Sequence, residues 1–410
     1  MKRIAILHYA YPPKIGGVEV LISQHAKILS KIGYKVTIIA GFGKETDKNI
    51  NFIQIPEIQS IMSFDKSLYK KIVRKGIVDE DFYLLYKNIK TKLAKILDKQ
   101  DTIIIHNMTT LVHNLPFIFF IKEYAKANPQ KNFLLWTHDE TFIDGPRILK
   151  KKPGVNLNKF LKELLIQPIP QATYIVISQT FKKLLLKVMP IPHEKVKVIP
   201  NGIYLQRFLE IDGSIWKIIE EKNLLSSFPL IISPVNILER KNLEYSIETI
   251  FYLKKTFPKI KYIITGKPSA HRKNIEYKEK ILQLIKKLNL GKNVILLGEI
   301  FKRALKDSEV HDLYDISDLI FYFSKAENFG LPILEATLAK TPIFASNLPV
   351  FEEIADDYIF KINFEKIPPA KLAQSIKKFI KTNKFLQYNY IVRTKYNLEE
   401  IVKKQLIPLL

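Results

Sequence analysis

The densest grouping of chemically useful residues in the chain is Ser324-Lys325-Ala326-Glu327-Asn328-Phe329-Gly330-Leu331-Pro332-Ile333-Leu334-Glu335-Ala336. The apolar run Leu319–Phe323 ahead of it predicts a buried strand, and Pro332 suits the first turn of a helix. A helix starting there turns its unpaired N–H groups back on the loop, which favours a phosphate. Gly330 allows a ligand to approach the backbone closely. Glu335, about one turn into the helix, can accept hydrogen bonds from vicinal hydroxyls, as acidic residues do for ribose. Glu327 precedes the helix, nearer to where a sugar beyond a diphosphate would lie.

Two other loops have related chemistry. Tyr11-Pro12-Pro13-Lys14-Ile15-Gly16-Gly17-Val18-Glu19 follows a predicted first strand and opens an amphipathic helix, a second anion-accepting helix start. It lacks the spacing of the dinucleotide fingerprint, which counts against NAD. Ile237-Leu238-Glu239-Arg240-Lys241-Asn242-Leu243 follows a strand in the second half. Cations there can neutralise the charge that develops on a departing diphosphate. Trp136-Thr137-His138-Asp139 ends a further strand, and His138 stands out among the eight histidines.

Glu327 and Glu335, with seven residues between them around Phe329-Gly330-Leu331-Pro332, resemble the signature of glycosyltransferase family 4. The resemblance implies that Glu335 holds the ribose of a nucleotide-diphosphate sugar and that Glu327 touches the transferred sugar. It implies that the amides of Phe329, Gly330 and Leu331 face the diphosphate and sugar. Gly16 and Gly17 match the family's paired glycines near donor diphosphate and acceptor. Lys241 matches a phosphate-binding lysine. The arginine usual five residues earlier is replaced by Asn236, and adjacent Arg240 is its candidate substitute. His138 matches a histidine that reaches the donor sugar, and Ile199-Pro200-Asn201-Gly202-Ile203 resembles the family's hinge. By this resemblance the chain is a retaining hexosyltransferase of the GT-B fold, independent of metal. It needs no cofactor beyond the nucleotide sugar as co-substrate (UDP-glucose or GDP-mannose type), and its acceptor is a glycan or lipid-linked molecule.

The elements that must position these residues read as short β-branched strands alternating with amphipathic helices, the pattern of parallel sheets with crossover helices. Strands are expected at Arg3–His8, Lys35–Ala40, Phe52–Ile55, Thr102–His106, Phe133–Thr137, Tyr174–Ile177 and Val196–Ile199. Helices near Val18–Ile32, Leu84–Asp98, Leu111–Ala127 and Gln179–Val188 fall between them. A second alternating series starts at Leu230 and runs to a strand at Pro342–Ala345. The class is therefore α/β, with two doubly wound Rossmann-like domains facing a central cleft. We expect an acceptor-side domain over 1–200, a donor domain over 201–385, and a C-terminal helical segment, 386–410, packing back on the first domain. Open parallel sheets bind ligands beyond the carboxyl ends of their strands, where all these loops lie.

Composition narrows the remaining classes. The 410 residues exceed one ordinary core, and hydrophobic residues at 47% argue against disorder. No apolar run approaches the roughly 18 residues of a membrane span, and the N-terminus enters a strand at once, so a cytoplasmic protein is expected. The absence of cysteine excludes disulfides and thiolate chemistry. A formal charge of +25 admits nucleic acid, anionic lipid and phosphorylated small molecules as partners. The lysines spread along helices without a nucleic-acid motif, so no specific nucleic acid is expected. Leu84 to Leu97 reads as a basic amphipathic helix, which makes an anionic membrane surface an admissible partner and a peripheral place on the inner face an admissible location. Asp79-Glu80-Asp81 imitates a metal-binding D-x-D but precedes a helix, and reads as a surface cluster. A nucleotide-sugar epimerase or a phosphorylase of the same fold remains as the enzymatic alternative, and a basic nucleic-acid-binding protein as the other.

Overall fold

The computed structural model describes residues 2–13, 16–267 and 271–410. Met1–Gly202 together with Leu398–Leu410 form one compact unit, and Ile203–Asn397 form another. The expected C-terminal segment 386–410 is thus divided: residues 386–397 belong to the second unit, and the chain returns to the first only at Leu398.

The first unit is built on seven strands: β1 (Arg3–Ala10), β2 (Lys35–Phe42), β3 (Asn51–Gln54), β4 (Thr102–His106), β5 (Asn132–Thr137), β6 (Thr173–Val176) and β7 (Val196–Val198). Their order is β3-β2-β1-β4-β5-β6-β7, and every neighbouring pair is parallel. Because helices cover both faces of such a sheet, its central strands are apolar along their length. Ile4, Ala5, Ile6 and Leu7 of β1 are accordingly all fully buried.

The tail returns to the amino ends of these strands. Lys2 Nζ donates to the Leu410 carbonyl at 2.6 Å, and Asn132 Nδ2 to that of Leu409 at 2.6 Å. Leu398, Ile401, Val402 and Leu406 are buried behind these contacts. Gly202 is where the departing chain meets the returning one: a Cβ there would lie 2.8 Å from the Leu398 Cα and from Ile401 Cδ1.

The second unit repeats the design with β8 (Leu230–Ser233), β9 (Lys261–Ile264), β10 (Val294–Leu296), β11 (Leu319–Tyr322), β12 (Ile343–Ser346) and β13 (Phe360–Ile362). The order is β10-β9-β8-β11-β12-β13, again wholly parallel. Both units are therefore doubly wound Rossmann-like sheets. In each, the strand order reverses beside the first strand, between β1 and β4 and between β8 and β11, and the crevice for a ligand opens at that point.

Some elements depart from expectation. The helix expected from Leu111 begins at Leu115, because the buried Asn114 side chain caps it, accepting from the Phe117 N–H at 3.0 Å. Strand β13 and the hairpin Ile143–Asp144 with Arg147–Ile148 are too short to show alternation. The basic helix spans Glu80–Leu97 and buries Phe82, Leu85, Ile89, Leu93 and Leu97, so its apolar stripe is spent on the core. Asp79 caps that helix and pairs with Lys71, which also reaches Asp81 at 2.5 Å. This is the surface role expected of the acidic cluster.

Two buried polar features bear on stability. In the second unit Arg393, on helix Lys384–Lys395, donates from Nη2 to both Asp318 oxygens at 2.9 Å and from Nη1 to the Ile316 carbonyl at 2.7 Å. Both side chains are almost fully buried, so removing one partner strands a charge. Arg393→Met should destabilise the second unit by about 3–5 kcal/mol, read from urea unfolding followed by Trp216 fluorescence in a Trp136→Phe background.

In the first unit His25 and His106 are buried against Trp136, with ring centroids 4.8 and 5.1 Å from it. Burial lowers the proton affinity of both, His25 to about 3. Their contribution is therefore fully present above the unfolded value of 6.5 and is lost as pH falls below it. Stability of the first unit, followed by Trp136 in a Trp216→Phe background, should decline between pH 7.5 and 5. The slope approaches about 1.4 kcal/mol per pH unit for each ring. A flat profile would contradict the burial of neutral imidazoles.

Candidate functional site

The reversal beside β8 in the second unit brings together the loop after β8 and the loop after β11. Lys325 N–H donates to the Arg240 carbonyl at 2.7 Å, and Arg240 Nη1 to that of Ala326 at 3.1 Å, so each loop holds the other. Upon this frame Glu327 receives two cations. Arg240 Nη1 lies 2.8 Å from Oε2, and Lys241 Nζ bonds Oε1. Lys241 also stands over the Tyr322 ring, 5.1 Å from its centroid, where the ring face favours a cation. Burial pushes the Glu327 carboxyl up, but the hydrogen bonds from Lys241 and Arg240 outweigh it and hold the group below its ordinary range. Two fixed cations against one carboxylate leave a net positive charge.

Beside this cluster lies a pocket of about 560 Å³ lined by Arg240, Tyr322, Ala326, Glu327, Asn328 and the turn Phe329-Gly330-Leu331-Pro332. Gly330 caps helix Leu331–Leu338 with φ 116°, a conformation that L side chains rarely adopt. A Cβ at this position would also lie 2.7 Å from the Phe351 ring. Glycine is thus required twice, by backbone and by packing. The N–H groups of Phe329, Gly330 and Leu331 donate to no partner among the described residues, and Pro332 has none to donate. The turn presents unpaired donors and the positive end of a helix to the pocket.

Glu335 follows one turn on. Tyr314, buried on helix Asp307–Ile316, donates its hydroxyl to Glu335 Oε2 at 2.8 Å. One oxygen is thereby fixed and the other is left for a ligand. Asn236 is exposed in the loop after β8, packed over Gly266, where a Cβ would meet its Oδ1 at 2.4 Å. It makes no ion pair and supplies no charge, so the cation near the turn comes from Arg240.

The first unit has its own reversal, between β1 and β4. Gly16 and Gly17 start helix Gly17–Ile32, with the Glu19 carboxyl folded against Gly16; Lys14 and Ile15 of that loop lie outside the described residues. His138 follows the carboxyl end of β5. Its backbone N–H donates to Asn107 Oδ1 at 2.7 Å, and its ring Nε2 lies 3.1 Å from His106 Nδ1. Asn107 adopts a positive φ of 58° and also accepts from the Asp139 N–H at 3.0 Å, clamping the loop.

Glu327, Lys241, Arg240, Phe329, Gly330, Leu331 and Glu335 therefore share one face of the second unit, at the carboxyl ends of β8 and β11. Gly16, Gly17 and His138 lie at the corresponding ends of strands in the first. Sequence reasoning missed Tyr314, Tyr322, Asn107 and His106. Tyr314 lies on the buried face of an amphipathic helix and Tyr322 in an apolar strand, with nothing in their spacing to separate them from core. Among the described residues no group of three or more His, Asp or Glu side chains could hold a metal ion, and no helix is long and apolar enough to cross a membrane.

Comparison with known proteins follows this division. The model of Glycosyltransferase Family 4 matches residues 15–207, and that of Glycosyl transferases group 1 matches residues 214–395. A mannosylglucosylglycerate synthase of Petrotoga mobilis is 25% identical over 395 residues, covering 90% of this chain and 83% of the relative. An alpha-monoglucosyldiacylglycerol synthase of Acholeplasma laidlawii is 23% identical, over 89% of this chain and 85% of its own. The alpha-1,3/1,6-mannosyltransferase ALG2 of Candida albicans is 23% identical over 99% of this chain and 93% of its own. With both halves matched and two Rossmann-like units, the chain belongs to glycosyltransferase family 4, of GT-B architecture.

Proposed function

We propose that this protein transfers a hexosyl group from a nucleotide-diphosphate sugar to a hydroxyl of a glycan or lipid-linked acceptor, with retention of anomeric configuration. The observation that carries the donor assignment is the pocket itself. A turn with three unpaired amides faces a carboxylate that holds Lys241 and Arg240 in place before any ligand arrives.

In this reading the diphosphate occupies the turn Phe329–Leu331, and Lys241 turns its remaining N–H donors to the phosphoryl oxygens. As the bond from the sugar carbon to the phosphate oxygen lengthens, negative charge grows on the leaving group. Lys241, Arg240 and the helix start stabilise that charge without reorganising. Glu327 orients the cations and touches the sugar, and Glu335, steadied by Tyr314, accepts from a ribose hydroxyl. Gly16, Gly17 and His138 of the first unit contribute on the side of the transferred sugar and the acceptor. The acceptor hydroxyl attacks from the face that the phosphate leaves, its proton passing to that phosphate.

Several of the relatives' names support the finer points. Two print alpha linkages, which follow with retention from the alpha-linked donors of UDP-glucose or GDP-mannose type. Their names span glycosylglycerate, diacylglycerol and mannosyl products, so we assign the acceptor only to the class of glycans and lipid-linked glycans. The cations for the leaving group come from the protein, so no metal is required in this reading, and an anionic membrane surface enters only with a lipid-linked acceptor. A place on the cytoplasmic side follows from the supply of nucleotide sugar there.

The assignment is tested by incubating the protein with a panel of nucleotide sugars and acceptors and following nucleotide release. One donor should be consumed in an acceptor-dependent way, with or without EDTA, and the product should be the alpha anomer by NMR. Consumption without acceptor would point to an epimerase or hydrolase, and a beta product would overturn retention. Lys241→Met should lower the transfer rate about 10²- to 10³-fold with the fold intact. Glu335→Gln, which weakens one charge-assisted hydrogen bond, should raise the donor KM about tenfold and leave kcat nearly unchanged. An unaltered donor KM would remove Glu335 from the site.

A further inference from the structure

The imidazoles of the first unit determine where the proton of His138 sits. His106 is wholly buried on β4, its Nδ1 is 3.1 Å from His138 Nε2, and its own Nε2 meets no partner among the described residues. Its neighbour Trp136 stacks face to face with it, 5.1 Å between centroids at 15°, and so offers nothing in the plane of the ring where Nε2 points. Burial keeps both histidines neutral, pushing His138 down to about 4 and His106 well below its ordinary value. Each ring therefore carries one proton, and two arrangements satisfy the contact between them. If His138 donated from Nε2, His106 would have to carry its proton on Nε2, an orphaned N–H in the core. If His106 donates from Nδ1, the group orphaned in the core is only a lone pair, and the remaining N–H is that of His138 Nδ1, which is not sealed from solvent. Orphaned buried N–H groups are the rarer of the two in folded proteins.

We infer that His106 is a positioning residue that donates from Nδ1 to His138 Nε2, fixing His138 as the Nδ1–H tautomer. The lone pair of Nε2 is then occupied, and the ring has an N–H at Nδ1 that makes no hydrogen bond among the described residues. His138 thus acts toward its ligand as a hydrogen-bond donor to a sugar hydroxyl oxygen and not as a general base. The tautomer stands on the first unit alone, and its consequence for transfer rests on the reading above, in which His138 touches the transferred sugar.

The experiment is long-range ¹H–¹⁵N correlation of the imidazole nitrogens in the full chain labelled at histidine, with His138 assigned by its loss in His138→Gln. The wild type should show His138 protonated at Nδ1 and bare at Nε2. In His106→Phe, which removes the donor, the proton should move to Nε2, and transfer should fall about 10- to 100-fold. His106→Asn places an amide N–H near the position of Nδ1 and should restore both the tautomer and most of the rate. His138 protonated at Nε2 in the wild type would overturn the inference. So would an unchanged tautomer in His106→Phe. Transfer at the wild-type rate in His138→Gln, alongside the expected tautomer in the wild type, would instead overturn the placement of His138 on the sugar.

Discussion

The structure depends on a constraint of parallel sheets. Where the strand order reverses, two neighbouring strands send their following loops in opposite directions, and the gap between those loops cannot be filled by a crossover helix. Each unit of this chain has such a reversal next to its first strand, at β1/β4 and at β8/β11. The second unit lines its gap with a carboxylate, two cations and a turn of unpaired amides. The first lines its own with paired glycines and a histidine clamped by Asn107. In both units the fold fixes where the chemistry can be, and the loop sequences fix what it is.

Within the second unit the electrostatics are set in advance. Glu327 is held ionised by the cations it binds, and those cations are held by Glu327, by the Tyr322 ring and by a backbone bond between the loops. A ligand with negative charge meets groups already oriented and already partly desolvated, which is the condition under which fixed charges contribute most to a transition state. Gly330 serves the same end from the backbone side, since its positive φ aims the helix start at the pocket while leaving space for the Phe351 ring.

How much of this was legible in the sequence depends on which forces set each part. Strands such as Thr102–His106 and helices such as Gln179–Val188 were readable because apolar periodicity and β-branching specify them locally. The turn at Gly330 was readable because glycine followed by Leu-Pro leaves few conformations open. Strand β13 was not, for three residues at a sheet edge carry no period. Nor was the point where the tail changes units, since helix Lys384–Lys395 stays with the second unit through the buried pair Arg393–Asp318 and through Leu386 and Tyr390 packed on that unit, contacts that no local pattern announces. In the site, charged residues in loops could be picked out by type and spacing. Tyr314 and His106, which orient Glu335 and His138 from other elements, could not, because an orienting contact exists only in three dimensions.

Seating an activated sugar's diphosphate on the turn Phe329–Leu331 beside Lys241 is the claim on which the functional account stands. A crystal structure with the bound donor nucleotide tests it most directly. The account predicts phosphoryl oxygens within hydrogen-bond distance of Lys241 Nζ and of the Gly330 and Leu331 amides, with the ribose on Glu335. A nucleotide bound elsewhere, with the Lys241–Glu327 pair undisturbed and the turn unoccupied, would contradict it.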